Sequence, residues 1–198
     1  MVQAGRSDVL TQQTSRAAGL VLVIICAAMP AAAQERDPFK KGTVGIEFGA
    51  APLVEIWNLN GHREPMLEGS AAFWGAVRDR VAIGIEFQHG YVFQHTPGAL
   101  VQGISPLVRW KIADHPTWDW FLEVGPGVSW SDLATPPRGT KFNYLFQAGA
   151  GVLKQTGSNQ HLLLAYRFLH LSNNHREGRE HNPDLEMMGI YVGWSFSF

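Results

Sequence analysis

Cysteine is almost absent from this chain of 198 residues: the single one, Cys26, lies within the first thirty-odd positions. The remainder therefore has no disulfide framework and no thiolate chemistry. An excess of charge is lacking too. Lysine and arginine number 16 against 17 acidic residues, a net charge of −1, which offers no case for nucleic-acid binding. A long apolar run is also missing. The longest, "AAGLVLVIICAAM", is roughly 13 residues, short of the ~20 that a membrane-crossing helix needs, and nothing similar recurs later.

That run has flanks that give it a meaning. Arg6 and Arg16 form a positive region before it, and the small-residue exit "PAAAQ" follows, the pattern of a secretory signal peptide cleaved after Ala33. The expected layout is a signal peptide over 1–33 and a single domain over 34–198. Without Arg6, Asp8 and Arg16 the net charge shifts to about −2. Bulky residues in "VIIC" precede Cys26 where a lipidated cysteine wants small ones, so a lipoprotein is not expected.

At the other end the chain reads "YVGWSFSF". Ile190, Val192, Trp194, Phe196 and Phe198 share one face, while Gly189, Tyr191, Gly193, Ser195 and Ser197 share the other, a clean period of two. The terminal phenylalanine, with Phe196 and Tyr191 upstream, resembles the assembly signal of bacterial outer-membrane barrels.

Segments of period two between turn signals number eight: roughly Thr43 to Ala51, Met66 to Val77, Val81 to Phe93, Ala99 to Ile112, Trp118 to Ser131, Phe142 to Gln155, His161 to Ser172 and Leu185 to Phe198. The count is even, and most segments reach the ~9–11 tilted residues that cross a bilayer. One parity is apolar: Val44, Ile46, Phe48; Ile83, Ile85, Phe87; Trp118, Trp120, Leu122, Val124; Phe142, Tyr144, Phe146. The opposite parity holds Glu47, Glu86, Gln88, Arg109, Asp119, Glu123, Gln147 and Arg167. A lipid-facing exterior wants the first set, and a narrow interior can pair the second set with one another. The fold class predicted is all-β, an eight-stranded antiparallel transmembrane β-barrel of the bacterial outer membrane. A lipocalin-like soluble carrier would need the reverse pattern.

Pro106 and Pro126 fall within strands and remove ladder donors, which predicts bulges or distorted edges there. With the amino terminus periplasmic, the short turns "RDR", "ADHPT" and "TGSNQ" lie on that side. The segments Pro52 to Pro65, Gln94 to Gly98, Ser131 to Lys141 and Asn173 to Asp184 then face outward, and three of these four are long, the usual barrel asymmetry. Trp118, Trp120 and Trp130 read as interface-belt residues.

Parity has a chemical consequence in "YRFLHLSNN", Tyr166 to Asn174. Arg167 must face inward, because an arginine on the lipid side near mid-bilayer costs ~2–4 kcal/mol. Tyr166, Phe168, His170 and Ser172 therefore face lipid. Counting back in twos from Phe198 reaches Glu186, which faces lipid as well. Two residues on one face of a strand lie about 7 Å apart, so a turned His170 imidazole can reach the Ser172 hydroxyl while Glu186 holds its far nitrogen. That set supplies a nucleophile, a base and an orienting carboxylate.

"YRFLHLSNN" followed by "NPDLE", about 21 residues in all, resembles the lipid A 3-O-deacylase family, PagL, whose pattern is H-x-S-N, a loop, then N-x-x-x-E or a close variant. The resemblance implies His170 as base, Ser172 as nucleophile, Glu186 as third member and Asn173 as a side-chain oxyanion ligand. It implies a loop-fixing and substrate-positioning role for Asn182. The loop between Ser172 and Glu186 is longer than in the best-known members, and Asn174 and His175 stand where small residues are expected. A backbone N–H within Asn174 to Gly178 is left as the second oxyanion donor. The implied activity is hydrolysis of the acyl ester at the 3-position of lipid A, with lipopolysaccharide and the outer membrane as partners and no cofactor. Family members can dimerise, and no segment here reads as an interface.

Two plainer readings stand beside this one. The loop "HREGREH", His175 to His181, has spacing that suits a divalent ion, but reads as a solvated, charged outer loop touching lipid phosphates, with no metal. The whole chain also fits a non-enzymatic small outer-membrane barrel with a structural or adhesive role.

Overall fold

The computed structural model describes residues 36–57, 62–178 and 181–198. The signal peptide expected over 1–33 lies outside the described residues. Eight strands follow one another: β1 (Val44–Glu55), β2 (Met66–Arg78), β3 (Val81–Val92), β4 (Ala99–His115), β5 (Trp118–Thr135), β6 (Thr140–Gln155), β7 (Gln160–Ser172) and β8 (Leu185–Ser197). Each pairs antiparallel with its neighbour, and β8 closes on β1, for example Phe48 with Trp194. Closure leaves no free edge, so every strand has a paired neighbour on both sides.

The two parities separate as expected. Phe48, Ile83, Phe87, Trp120, Leu122, Val124, Tyr144 and Phe146 are exposed on the outer wall. Glu47, Glu86, Gln88, Arg109, Glu123, Gln147 and Arg167 are buried in the lumen. There Arg109 donates to both oxygens of Glu47 at 2.8 and 3.1 Å and to Glu123 Oε2 at 2.7 Å. Arg167 donates to Glu68 at 2.7 Å, Glu86 at 3.0 Å and Glu123 at 3.4 Å, and its guanidinium lies 3.9 Å from the centre of the Tyr191 ring. Glu123 thus joins the two arginines. The planar, five-donor guanidinium suits such sharing, and an unpaired charge in that space would be costly.

Three details differ from the sequence reading. First, β1 does not stop at Ala51 but runs on to Glu55. Pro52 keeps its place opposite Leu67 of β2, while pairing with β8 lapses at Ala51 and Pro52 and resumes at Leu53 with Gly189 in the same register. Second, Pro106 and Pro126 interrupt the ladder, as expected, but without a bulge. The β4–β5 ladder stops after Ile104 with Val128 and restarts at Val108 with Val124, an unchanged register that sets the two prolines opposite one another. Their missing donors coincide in one gap, and each stays paired on its other side, Pro106 with Ile85 and Pro126 with Phe146. Neither strand has an extra residue there, so nothing bulges. Third, the segment Ser131 to Lys141 is mostly strand. A four-residue turn, 136–139, caps it, and Asn143 holds the tip by donating to the carbonyls of Thr135 and Thr140 at 3.0 and 3.1 Å.

Loops 56–65 and 173–184 are the longest, and both lie at one end, whereas the turns at Asp79–Arg80 and Pro116–Thr117 at the other end have two residues each. That asymmetry matches the outward placement expected for the long loops of an outer-membrane barrel.

Candidate active site

β7 ends at Ser172 and β8 begins at Leu185, both at the long-loop rim. In the antiparallel register His170 stands directly opposite Glu186, and Leu171 opposite Leu185. Leu169, Leu171, Leu185 and Met187 are buried on the lumen side. Alternation then sends His170, Ser172 and Glu186 to the outer wall. Imidazole Nδ1 lies 3.4 Å from Glu186 Oε1, and the two side chains keep 29% and 22% of their exposure, so each retains access to a ligand arriving from the membrane side. On the other flank, β6 places Phe146 opposite His170 and Tyr144 opposite Ser172, both exposed. The polar group is therefore set into an apolar, aromatic wall.

The Ser172 hydroxyl bonds differently from the sequence expectation. It donates to Asn182 Oδ1 at 3.2 Å and accepts the Asn174 N–H at 3.1 Å, rather than donating to His170. Asn182 Oδ1 also accepts the Asn173 N–H at 2.6 Å, and its Nδ2 donates to Asp184 at 2.5 Å. Asn182 thus ties the two ends of the loop together across the serine. Asn173 is buried, its Nδ2 donating to the His181 carbonyl at 2.6 Å and its Oδ1 without a partner. Between Asn174 and Gly178, the N–H groups of Arg176 and Gly178 are held by the Asn173 and His175 carbonyls, and that of Asn174 by Ser172. Those of His175 and Glu177 are not engaged within the described residues.

Asn174 and His175, the departures from small residues, have φ of 55° and 59°. A left-handed pair explains why small residues suit these positions; asparagine and histidine are among the side chains that tolerate such a backbone best. Among the described residues no group of His, Cys, Asp or Glu is arranged to hold a metal ion; part of "HREGREH", positions 179–180, lies outside them.

Sequence reasoning missed two neighbours. One is the bond from the Ile56 N–H to the Glu186 carbonyl, 2.9 Å, which ties the first outer loop to the acid's backbone. The other is the flank of Tyr144 and Phe146, which a strand-by-strand parity count could have found once β6 was set against β7.

Among solved structures the chain is similar to the Neisserial surface protein A (NspA), with a TM-score of 0.63 at 10% identity over 80% of this chain and 100% of that one. It is similar to the outer membrane enzyme PagL, with a TM-score of 0.58 at 15% identity over 76% and 97%. Ail, the attachment invasion locus protein of Yersinia pestis, gives 0.52 at 11% identity over 80% and 99%. These likenesses show the fold, that of an integral outer-membrane barrel. No curated protein matches the chain. The family described as "Lipid A 3-O-deacylase (PagL)" matches residues 72–195, a span that takes in His170, Ser172 and Glu186, and on that match the chain belongs to the lipid A 3-O-deacylase family.

Proposed function

We propose that this protein is a serine esterase of the outer membrane that removes the acyl chain ester-linked at the 3-position of lipid A, with Ser172, His170 and Glu186 as its triad. The observation that carries the reading is the His170–Glu186 register pair at 3.4 Å, with Ser172 two residues along the same outward face. Glu186 faces Nδ1, which leaves Nε2 as the nitrogen available to take a proton. The Ser172 hydroxyl rests on Asn182, and the reaction calls for a turn about its χ1 that brings its hydrogen bond to the imidazole.

In the first half-reaction Ser172 Oγ forms a bond to the ester carbonyl carbon as its proton passes to His170 Nε2. The bond to the sugar oxygen then breaks, and the imidazolium returns the proton to that oxygen. Water, deprotonated by the same nitrogen, releases the fatty acid and regenerates the hydroxyl. The negative charge on the carbonyl oxygen calls for two donors. Asn173 supplies the second hydrogen of its side-chain amide, the first being held by the His181 carbonyl, and the unengaged His175 N–H, three positions past the nucleophile, supplies the backbone donor. A site on the outer wall suits a substrate whose acyl chains already lie in the surrounding leaflet, since they reach Ser172 along Tyr144 and Phe146 without entering the charged lumen. The expected signal peptide directs export toward this location before it is cleaved, and the chemistry calls for no metal or cofactor.

The test is mass spectrometry of purified lipid A incubated with the refolded protein. A single hydroxyacyl chain is lost, and Ser172→Ala abolishes the loss while heat-modifiable migration, the sign of a closed barrel, persists. Intact lipid A beside a folded wild-type barrel would instead favour the structural or adhesive reading.

A further inference from the structure

Between the β5–β6 hairpin and the β7–β8 loop lies a cleft of about 670 Å³, within the ~300–1,000 Å³ of sites that enclose a small molecule. Trp130 and Phe142 line it, their ring centres 6.4 Å apart. Lys141, Arg176 and Glu177 line it too, and Asn173, the residue after Ser172, completes the lining. Glu177 opposes one of the two positive charges, yet neither Lys141 nor Arg176 has a carboxylate partner among the described residues. Arg176 makes one side-chain hydrogen bond, from Nη1 to Tyr144 Oη at 3.4 Å. At the opposite rim the neighbouring cations Lys111 and Arg80 are instead shared among Asp37, Asp114 and Asp119.

Two cations from two hairpins, open to a ligand above an aromatic lining, match the phosphorylated end of an amino sugar. The guanidinium can take a phosphate through two parallel N–H bonds while the ammonium acts as a point charge. Proximity to the chemistry is fixed by the sheet: Tyr144, which Arg176 touches, is the register partner of Ser172. We propose that this cleft binds a phosphate on the sugar end of lipid A, with Lys141 and Arg176 as its ligands, and so determines which ester is presented to Ser172. The inference rests on lipid A being the substrate. It narrows the expected contact of loop 175–181 with lipid phosphates to one residue of that loop, and adds a partner from a different hairpin.

The test measures binding, so that it does not depend on turnover. The full chain carrying Ser172→Ala is refolded in detergent micelles and titrated with phosphorylated lipid A, with the same lipid stripped of its phosphates, and with inorganic phosphate. Adding Lys141→Gln or Arg176→Gln weakens the phosphorylated lipid by about tenfold or more each, and the pair together by more. Affinity for the stripped lipid stays that of the parent, which a loop collapse would not spare, and Arg176→Lys recovers part of the loss. Equal binding of phosphorylated lipid by parent and double variant would overturn the proposal. Inorganic phosphate binding as tightly as the lipid would also overturn it, by making the cleft a free-anion site. Should wild-type protein leave lipid A intact while the variants still lose phosphate-dependent binding, the esterase reading fails and the cleft stands.

Discussion

His170 and Glu186 occupy facing positions on β7 and β8, and both turn outward, Nδ1 lying 3.4 Å from Oε1. The pairing is a property of the sheet rather than of a loop, so it is fixed by the ladder on either side. Replacing the acid by its amide keeps the shape and removes the charge that steadies an imidazolium. Glu186→Gln is expected to lower kcat roughly 10- to 1,000-fold on lipid A, less than the ~10⁴ seen for a fully enclosed triad acid, because both groups here remain partly solvated. KM should hardly move, and initial rates at saturating and sub-saturating substrate separate the two.

Asn182 carries a second prediction. Its Oδ1 accepts from both the Ser172 hydroxyl and the Asn173 N–H, so Asn182→Ala leaves a buried N–H unpaired, at a cost of about 1–3 kcal/mol to the loop. The loop then loses its tie across the serine. Limited proteolysis within 173–184 should quicken and the deacylation rate should fall, with the unfolding midpoint of the barrel unchanged. A loop as resistant as the parent's would mean that the bond from the Asn173 side chain to the His181 carbonyl suffices to hold it.

Much of this was legible in the sequence because a barrel in a bilayer has only two sides. Glu47, Arg109, Glu123 and Arg167 cannot face lipid, and once they are placed inside, His170, Ser172 and Glu186 follow by alternation. What periodicity cannot encode is a contact made by a loop. The bond from Ser172 to Asn182 depends on a reversal through Asn174 and His175 at positive φ, and nothing of period two marks it. The extended β5–β6 hairpin was hidden for a related reason: Pro136, Pro137 and Gly139 read as a loop, while the side chain of Asn143 that secures the tip lies on the far strand. The facing prolines 106 and 126 became intelligible only when the register set both missing donors in one gap.

The lumen offers a prediction about stability that is independent of the reaction. Arg167 is fully buried and answers Glu68, Glu86 and Glu123 together. Arg167→Met fills similar space but strands Glu68 and Glu86, which have no other cation partner among the described residues, while Glu123 keeps Arg109. The expected loss is about 3–5 kcal/mol, the cost of breaking a buried pair from one side, read as a lowered urea midpoint of the refolded barrel. Glu68→Gln combined with Arg167→Met should recover part of it. An unchanged midpoint in the single variant would mean that water or protons compensate the acids.

The seam between β1 and β8 supplies the last test, and it joins stability to the site. Gly189 stands opposite Leu53, and a methyl group built on it would run into the carbonyl oxygen of Pro52. The obstacle is main chain, so it cannot rotate aside as a side chain would. Gly189→Ala must push the strands apart where their ladder already lapses at Ala51 and Pro52, and overpacking of this kind costs typically ~1–3 kcal/mol. Two consequences separate this cause from others. Pro52→Ala should not rescue the variant, because the clashing oxygen remains. Activity should fall as well, since the Ile56 N–H that holds the Glu186 carbonyl lies just beyond the disturbed stretch. Unfolding midpoints and deacylation rates of Gly189→Ala, with and without Pro52→Ala, decide it: restoration of either quantity by the second change would place the strain in the proline ring instead of the backbone.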